Sequence, residues 1–317
     1  MESRRIGSLT VSLVGLGCNN LGRRLDAAQS DLVVGAAIDH GITLFDTADV
    51  YGGEGRSEQL LGRALTGRRD EVVIATKFGM PLDDERRGAH PDYVRRACED
   101  SLRRLGTDRI DLYQLHAPDP EVPIAETLGA LDELVAAGKV REIGNSNFTG
   151  EQLDEAEHAA RRAATARFVV AQNRWSALSR GIEDDVVPAA RRNDLTILPY
   201  FPLASGLLTG KYRAGEQPDP SWRIAGMPEE RRARLLDEER LAKVAALGEL
   251  AEDRGRTLLE LAFSWLASHD IVASVIAGAT RPEQVEANVA AAGWRLDAAD
   301  LAAVDEITGR SGTPAAR

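Results

Sequence analysis

Short runs of β-branched and apolar residues alternate along the whole chain with longer amphipathic stretches. The apolar runs fall at residues 13–17, 43–46, 72–77, 110–116, 140–146, 168–173, 196–200 and 272–278. Each is short enough to be a strand buried on both faces. Between them, helical spacing of apolar positions predicts helices over 30–40, 57–65, 92–105, 124–137, 150–162, 182–192, 258–269 and 282–292. Gly41, Gly106 and Gly138 each follow a helix end, where a left-handed C-cap belongs. Strands alternating with helices predict parallel βαβ units. Eight such units predict an α/β fold, a closed (β/α)8 TIM barrel with no free sheet edge.

Two stretches fall outside that alternation. Residues 1–12 read as an N-terminal β-hairpin turning at Gly7-Ser8. A long loop separates strands seven and eight, over residues 204–257; it carries Pro218, Pro220, Gly226 and Pro228, then a charged, helix-like run over 228–252. A connection of that length is a functional lid or binding loop, or is disordered; it is expected to serve cofactor and substrate. The tail, 309–317, is rich in small residues and is expected to fray. No shift in composition marks a second domain, so residues 1–317 are expected to form one barrel.

Charge narrows the partners. The chain carries a net charge of −11, which disfavours nucleic acid or an anionic membrane as the main partner. Its two cysteines, Cys18 and Cys98, have neither CxxC nor metal-ligand spacing; this excludes a disulfide framework and suits a reducing interior. The sequence starts without an apolar leader core and holds no 18-residue apolar run, so a cytoplasmic location is expected.

The reactive residues follow the strands. Asp46, Lys77, His116, Ser146-Asn147, Gln172-Asn173, Tyr200 and Gly278 all stand at C-terminal ends of different predicted strands, and a barrel brings those ends to one face. Among them is a set suited to moving a proton at an oxygen. A phenol such as Tyr51 holds its proton too tightly near neutrality. Lys77 beside it would stabilise the phenolate, Asp46 would keep Lys77 charged and oriented, and His116 would hydrogen-bond the substrate oxygen. These are the residue types for a carbonyl/alcohol centre. Other chemistries lack their parts: the chain has no Gly-x-Ser-x-Gly elbow, no His-Glu-x-x-His and no pair of strand-end glutamates. No metal is called for.

This arrangement resembles the aldo-keto reductase family over nearly the whole chain. The resemblance is carried by Phe45-Asp46-Thr47-Ala48 with Tyr51-Gly52, Gly55-Arg56-Ser57-Glu58, Ala75-Thr76-Lys77, Asp111-Leu112-Tyr113-Gln114-Leu115-His116, Gly144 with Ser146-Asn147-Phe148, Gln172-Asn173, Tyr200 with Pro202-Leu203, and Gly278-Ala279-Thr280 with Gln284 and Asn288. It implies a catalytic tetrad of Asp46, Tyr51, Lys77 and His116, with Tyr51 as proton donor or acceptor. It implies that Ser146, Asn147 and Gln172 hold a nicotinamide carboxamide and that the nicotinamide ring stacks on Tyr200. The loop Leu203-Ala204-Ser205-Gly206-Leu207 would pass over the pyrophosphate. Gly278, Thr280, Arg281, Gln284 and Asn288 would grip the adenine end and a 2′-phosphate. The implied cofactor is NADPH, with NADH as the alternative; that choice rests on Arg281 and Gln284.

Several residues admit two readings. Gly15-Leu16-Gly17 begins like a dinucleotide fingerprint, but Asn20 stands where its third glycine belongs and the next helix starts well downstream. The segment is read instead as lining the barrel mouth, with Asn19 in the substrate pocket beside Tyr51 and His116. Trp175 either lines that pocket or is buried beneath a neighbouring loop. Arg281 is either a solvated arginine or a phosphate contact beside a helix N-terminus. Asn145 departs from the small apolar residue the family commonly has before Ser146, and bears on the packing beneath the nicotinamide. The rim loops are polar and charged, with Trp222 and Met227 as isolated apolar anchors, which favours a small, polar carbonyl substrate. Two rivals stand beside this reading: a catalytically weak NADPH-binding regulatory subunit on the same barrel, and a barrel lyase or hydrolase without nicotinamide.

Overall fold

A computed structural model describes residues 1–213, 216, 218–220 and 222–309. Two antiparallel strands, β1 (Ser3–Ile6) and β2 (Leu9–Ser12), come first, joined through Gly7-Ser8. Eight parallel strands follow: β3 (Val14–Gly17), β4 (Leu44–Asp46), β5 (Val73–Phe78), β6 (Ile110–Leu115), β7 (Val140–Ser146), β8 (Val170–Arg174), β9 (Thr196–Tyr200) and β10 (Val275–Gly278). They close into a barrel, each strand pairing with its neighbours in chain order and β10 returning to β3. Helices on the outside connect them, and from the first helix to Val186–Arg192 each packs on the next. This is the expected (β/α)8 barrel with its N-terminal hairpin.

The barrel follows from local sequence. β5 is buried at every position; its apolar start at Val73-Ile74-Ala75 suits a strand covered on both faces, and Thr76 and Lys77 are buried with it. The helices are stopped as the glycines suggested: Gly41, Gly106 and Gly138 all have positive φ. Starts are set by side chains, with Asp26–Gln29, Thr149–Gln152 and Thr257–Glu260 forming capping boxes.

The hairpin plugs the end of the barrel at which the strands begin. Ile6, Leu9 and Val11 are fully buried in one cluster with Leu44, Val73, Leu112, Val170, Leu198 and Ile276, which fill the lower interior. The Arg4 guanidinium fastens the hairpin, donating to the carbonyls of Ala267, His269 and Val272 at 2.6, 3.1 and 2.6 Å. With the floor sealed, the rim at the strand C-termini is left for chemistry.

The sequence pattern needs two adjustments. The region over 204–257, with its expected helix-like run over 228–252, holds a short 3₁₀ turn over Ala204–Thr209 and helices Glu229–Leu235 and Glu238–Glu252. The charged run breaks in two because Asp237 takes an N-cap conformation and accepts from the Arg240 amide. A last helix, Ala298–Thr308, was not anticipated; it starts from an Asp297 cap and ends at Gly309, with φ +82°. Residues 310–317 of the tail expected to fray lie outside the described residues. Among the described residues, no helix is long and apolar enough to cross a membrane, and Cys18 and Cys98 are buried, unpaired thiols.

Candidate active site

Asp46 ends β4, and the chain then crosses the rim before the helix at Arg56–Ala64. Backbone bonds pin this crossing: Thr47 donates to the Ala75 carbonyl at 2.8 Å, Asp49 to Lys77 at 3.1 Å and Tyr51 to Ala48 at 3.1 Å. Gly52 is required behind Tyr51. Its φ is +74°, and a Cβ there would stand 2.8 Å from the Leu21 carbonyl. Tyr51 is thereby fixed by its own loop.

Lys77, on β5, is wholly buried, and its Nζ donates to Asp46 Oδ2 at 2.8 Å and to the Thr47 carbonyl at 2.7 Å. The same Nζ lies 5.0 Å from the centre of the Tyr51 ring. Burial works to lower the Lys77 pKa, but Asp46 and Tyr51 outweigh it, and the net direction is upward. The site therefore contains a permanent ammonium.

For the phenol the balance runs against expectation. Lys77 does lower the Tyr51 pKa, but burial raises it more, and the phenol ends above its ordinary value. Desolvation outweighs the neighbouring charge. Tyr51 is thus protonated throughout the neutral range, which suits a proton donor.

His116, just beyond β6, meets the Tyr51 ring edge-on, with ring centres 5.8 Å apart. Burial, then the Lys77 charge, pushes its pKa down to about 3, so the imidazole is neutral. Its Nδ1 is buried without a partner, and its backbone is clamped by the Phe78 carbonyl and the Asn147 amide. The four residues expected to act together are together: Tyr51 and His116 face the partly open rim, while Lys77 and Asp46 lie buried behind them.

The residues expected to hold the nicotinamide stand beside this group. Asn147 donates to the Ser146 hydroxyl at 3.1 Å and accepts from the Tyr200 hydroxyl at 2.7 Å. The Tyr200 ring is partly exposed at the rim. Gln172 is buried, and its amide donates to Asp46 Oδ1 at 2.8 Å. Asn145 is buried too, and strand alternation points it away from the barrel interior that Ser146 faces. Its amide donates to the Val170 carbonyl at 3.3 Å and its Oδ1 is unpartnered.

Around the rim, Phe201, Ala204 and Ser205 have φ of +52°, +47° and +63°, and Gly206 follows at +100°. Such a run of left-handed non-glycine residues is costly and is usually retained for function. Leu203 is partly buried at its start, whereas Leu207 is fully buried in the apolar shell, so only its backbone is available to a ligand. Gly278 is exposed at the end of β10, close to Asn19 and Asn20. Thr280 donates through its backbone to Gln284 Oε1 at 2.7 Å, which stiffens the turn into the next helix. Arg281 is that helix's exposed N-cap residue, and Asn288 is buried further along it.

Trp175 requires a correction. It is fully buried, donates to Glu183 Oε1 at 2.9 Å and packs against Trp265 and His269. That places it in the shell outside the barrel, where its indole N–H finds a carboxylate, and not against a substrate pocket. The Gly15-Leu16-Gly17 segment leads into an irregular stretch and not a helix; Asn20 donates from it to the Ala279 carbonyl at 3.1 Å.

The sequence reading missed a cationic cluster. Burial, then the charges of Arg24 and Arg281, lower the Lys211 pKa; burial, then Arg23 and Arg24, lower that of Arg223. These partly desolvated basic groups, with Asp219 acting in the opposite sense on Lys211, suit an anionic ligand. The available signal was several basic residues confined to rim loops of an acidic chain. This donor set fits the phosphates of a dinucleotide, and the partly open Tyr200 face fits its ring. Among the described residues, no group of three or more His, Cys, Asp or Glu is placed to hold a metal.

A model of the aldo/keto reductase family matches residues 13–308. Aldo-keto reductase YhdN of Bacillus subtilis (strain 168) is 36% identical, aligned over 94% of this chain and 90% of its own length. Aldo-keto reductase str7 of Strobilurus tenacellus is 33% identical, over 100% and 95%. A probable voltage-gated potassium channel subunit beta of Arabidopsis thaliana is also 33% identical, over 92% and 91%.

Proposed function

The chain belongs to the aldo/keto reductase family, and from that premise we propose that it is an NADPH-dependent oxidoreductase that reversibly reduces an aldehyde or ketone to an alcohol. The observation that carries this reading is the Lys77 ammonium, fixed by Asp46 and the Thr47 carbonyl 5.0 Å from the Tyr51 ring.

A bound reduced nicotinamide supplies the hydride. Ser146, Asn147, Gln172 and Tyr200 would hold its ring end; the loop from Leu203 to Leu207, with Gly278, Thr280, Arg281, Gln284 and Asn288, would hold the remainder. Lys211 and Arg223 join them as phosphate contacts, and this concentration of positive charge favours NADPH over NADH. Neutral His116 donates a hydrogen bond to the substrate oxygen without competing for the proton. Tyr51 gives that oxygen its proton as negative charge develops, and Lys77 stabilises the phenolate left behind. In the reverse direction Tyr51 takes the proton back. The polar rim, with Asn19 beside Gly278, favours a small polar carbonyl compound. Buried free thiols fit a reducing, cytoplasmic setting.

The test is consumption of NADPH and of NADH with a panel of carbonyl compounds, alongside the melting temperature with each cofactor. Oxidation of NADPH with stoichiometric alcohol supports the reading. No oxidation and no thermal shift would sink it.

The similarity to a probable channel subunit supports a second reading, a catalytically weak NADPH-binding regulatory subunit. Single-turnover and steady-state measurements separate the two. A subunit of that kind would oxidise bound cofactor once and then stall, whereas an enzyme cycles.

A further inference from the structure

Asp46 is held from two sides. Oδ2 takes the Lys77 ammonium at 2.8 Å, and Oδ1 takes the Gln172 side-chain amide at 2.8 Å from across the barrel. The same Gln172 Nε2 lies 3.5 Å from Gln114 Oε1, at the outer limit of a hydrogen bond. Asp46, Gln172 and Gln114 are 3%, 2% and 0% exposed, so water cannot take over for a lost donor at the charged oxygen. The arrangement also decides which way the amide faces. Turned over, Gln172 would set its carbonyl oxygen against a carboxylate and a second amide oxygen, which is repulsive.

We infer that Gln172 is a positioning residue of the proton relay as well as part of the nicotinamide cradle: it fixes Asp46, and through it Lys77 and Tyr51, while Gln114 locks the amide. This rests on the carbonyl-reductase reading above. The logic is one of restraint. A carboxylate bound only by Lys77 can pivot about that single contact, which leaves the Thr47 carbonyl as the one fixed partner of the ammonium. With a donor on each oxygen, Asp46 can present Lys77 in one place only, the place beside Tyr51. Gln172 thereby links cofactor seating to the acid–base group through a single side chain.

Two measurements on the full chain test this. The first needs no cofactor: a double-mutant cycle of Gln172→Met and Asp46→Asn by urea denaturation. Removing the amide should cost roughly tenfold more in the folding equilibrium when Asp46 is present than in the Asp46→Asn background. Additive effects would overturn the inference. The second is the pH dependence of kcat at saturating NADPH. For Gln172→Met, kcat should fall by about tenfold or more, with the alkaline limb moved to higher pH because the phenolate loses support. Gln114→Met should shift both in the same direction by less, and it carries the test if Gln172→Met does not fold. A raised KM for NADPH with wild-type kcat and pH profile would confine Gln172 to the cradle and overturn the positioning role, leaving the reductase reading intact. A wild-type protein that oxidises no NADPH defeats that reading instead, and the denaturation cycle still decides the link to Asp46.

Discussion

On β4, Leu44 and Asp46 both point into the barrel; so do Ala75 and Lys77 on β5, Leu112 and Gln114 on β6, and Val170 and Gln172 on β8. The first member of each pair belongs to the apolar plug beneath, and the second to the buried polar network at the rim. One strand period, two residues, separates the part that holds the barrel shut from the part proposed to do the chemistry. Below, burial is favourable at every atom. Above, the same burial raises Tyr51, lowers His116 and leaves Lys77 dependent on Asp46. The lower half is replaceable by volume, whereas the upper half is specified atom by atom.

The sharpest way to break this division is a pair of substitutions, one in each half. Tyr51→Phe should lower kcat by about 10²–10⁴-fold through loss of the proton donor, with NADPH affinity and melting temperature close to wild type. Steady-state kinetics with a cofactor titration checks this. Leu112→Ala should do the reverse, losing about 2–5 kcal/mol of stability in urea titrations while the folded fraction keeps its kcat. If Leu112→Ala abolished turnover in the folded protein, the two halves would not be separable.

The cationic cluster tests whether the rim extends to the cofactor's far end. Arg223→Met should weaken NADPH binding by roughly tenfold and reduce its salt dependence, with kcat at saturation unchanged. Calorimetry at two ionic strengths measures both. A variant that binds NADPH as tightly as wild type would remove Arg223 from the phosphate site.

A pH-dependent effect sits just behind the relay. Asp49 is 1% exposed, and neither of its oxygens has a hydrogen-bond partner. Burial, then Glu58, pushes it from 3.8 up to about 7. The folded protein keeps a proton there that the unfolded chain gives up, so wild-type stability falls as pH rises between those values. Asp49→Asn has no such proton to lose. Its advantage over wild type should grow across that window, by on the order of 1–3 kcal/mol. Paired melting curves from pH 4 to 8 would show this, and a gap constant with pH would contradict it.

Much of this was legible in the sequence because it is local. The eight barrel strands are short runs rich in β-branched and apolar residues, and Asp46, Lys77 and His116 stand where such runs end. Boundaries suffered where tertiary pairing stops a run early. Residues 272–274 read as strand, yet only an isolated bridge from Val272 to Ile197 forms there before β10 begins at Val275. What depends on packing between distant segments was not legible. Trp175 follows two site residues in sequence, but its indole turns outward to Glu183 and Trp265. The upward shift of Tyr51 needed the degree of burial, which the Tyr51–Lys77 pairing alone does not reveal. The Gln172–Asp46 bond joins residues 126 apart in the chain, and the charges of Arg24 and Arg281 reach Lys211, and those of Arg23 and Arg24 reach Arg223, from segments distant in sequence.

The most direct test of hydride delivery beside Tyr51 follows an isotope. NADPH carrying deuterium at the transferred position of its nicotinamide should place that deuterium on the former carbonyl carbon of the alcohol, while the hydroxyl proton comes from solvent. Alcohol formed without the label, or label appearing in water, would contradict the proposed reduction.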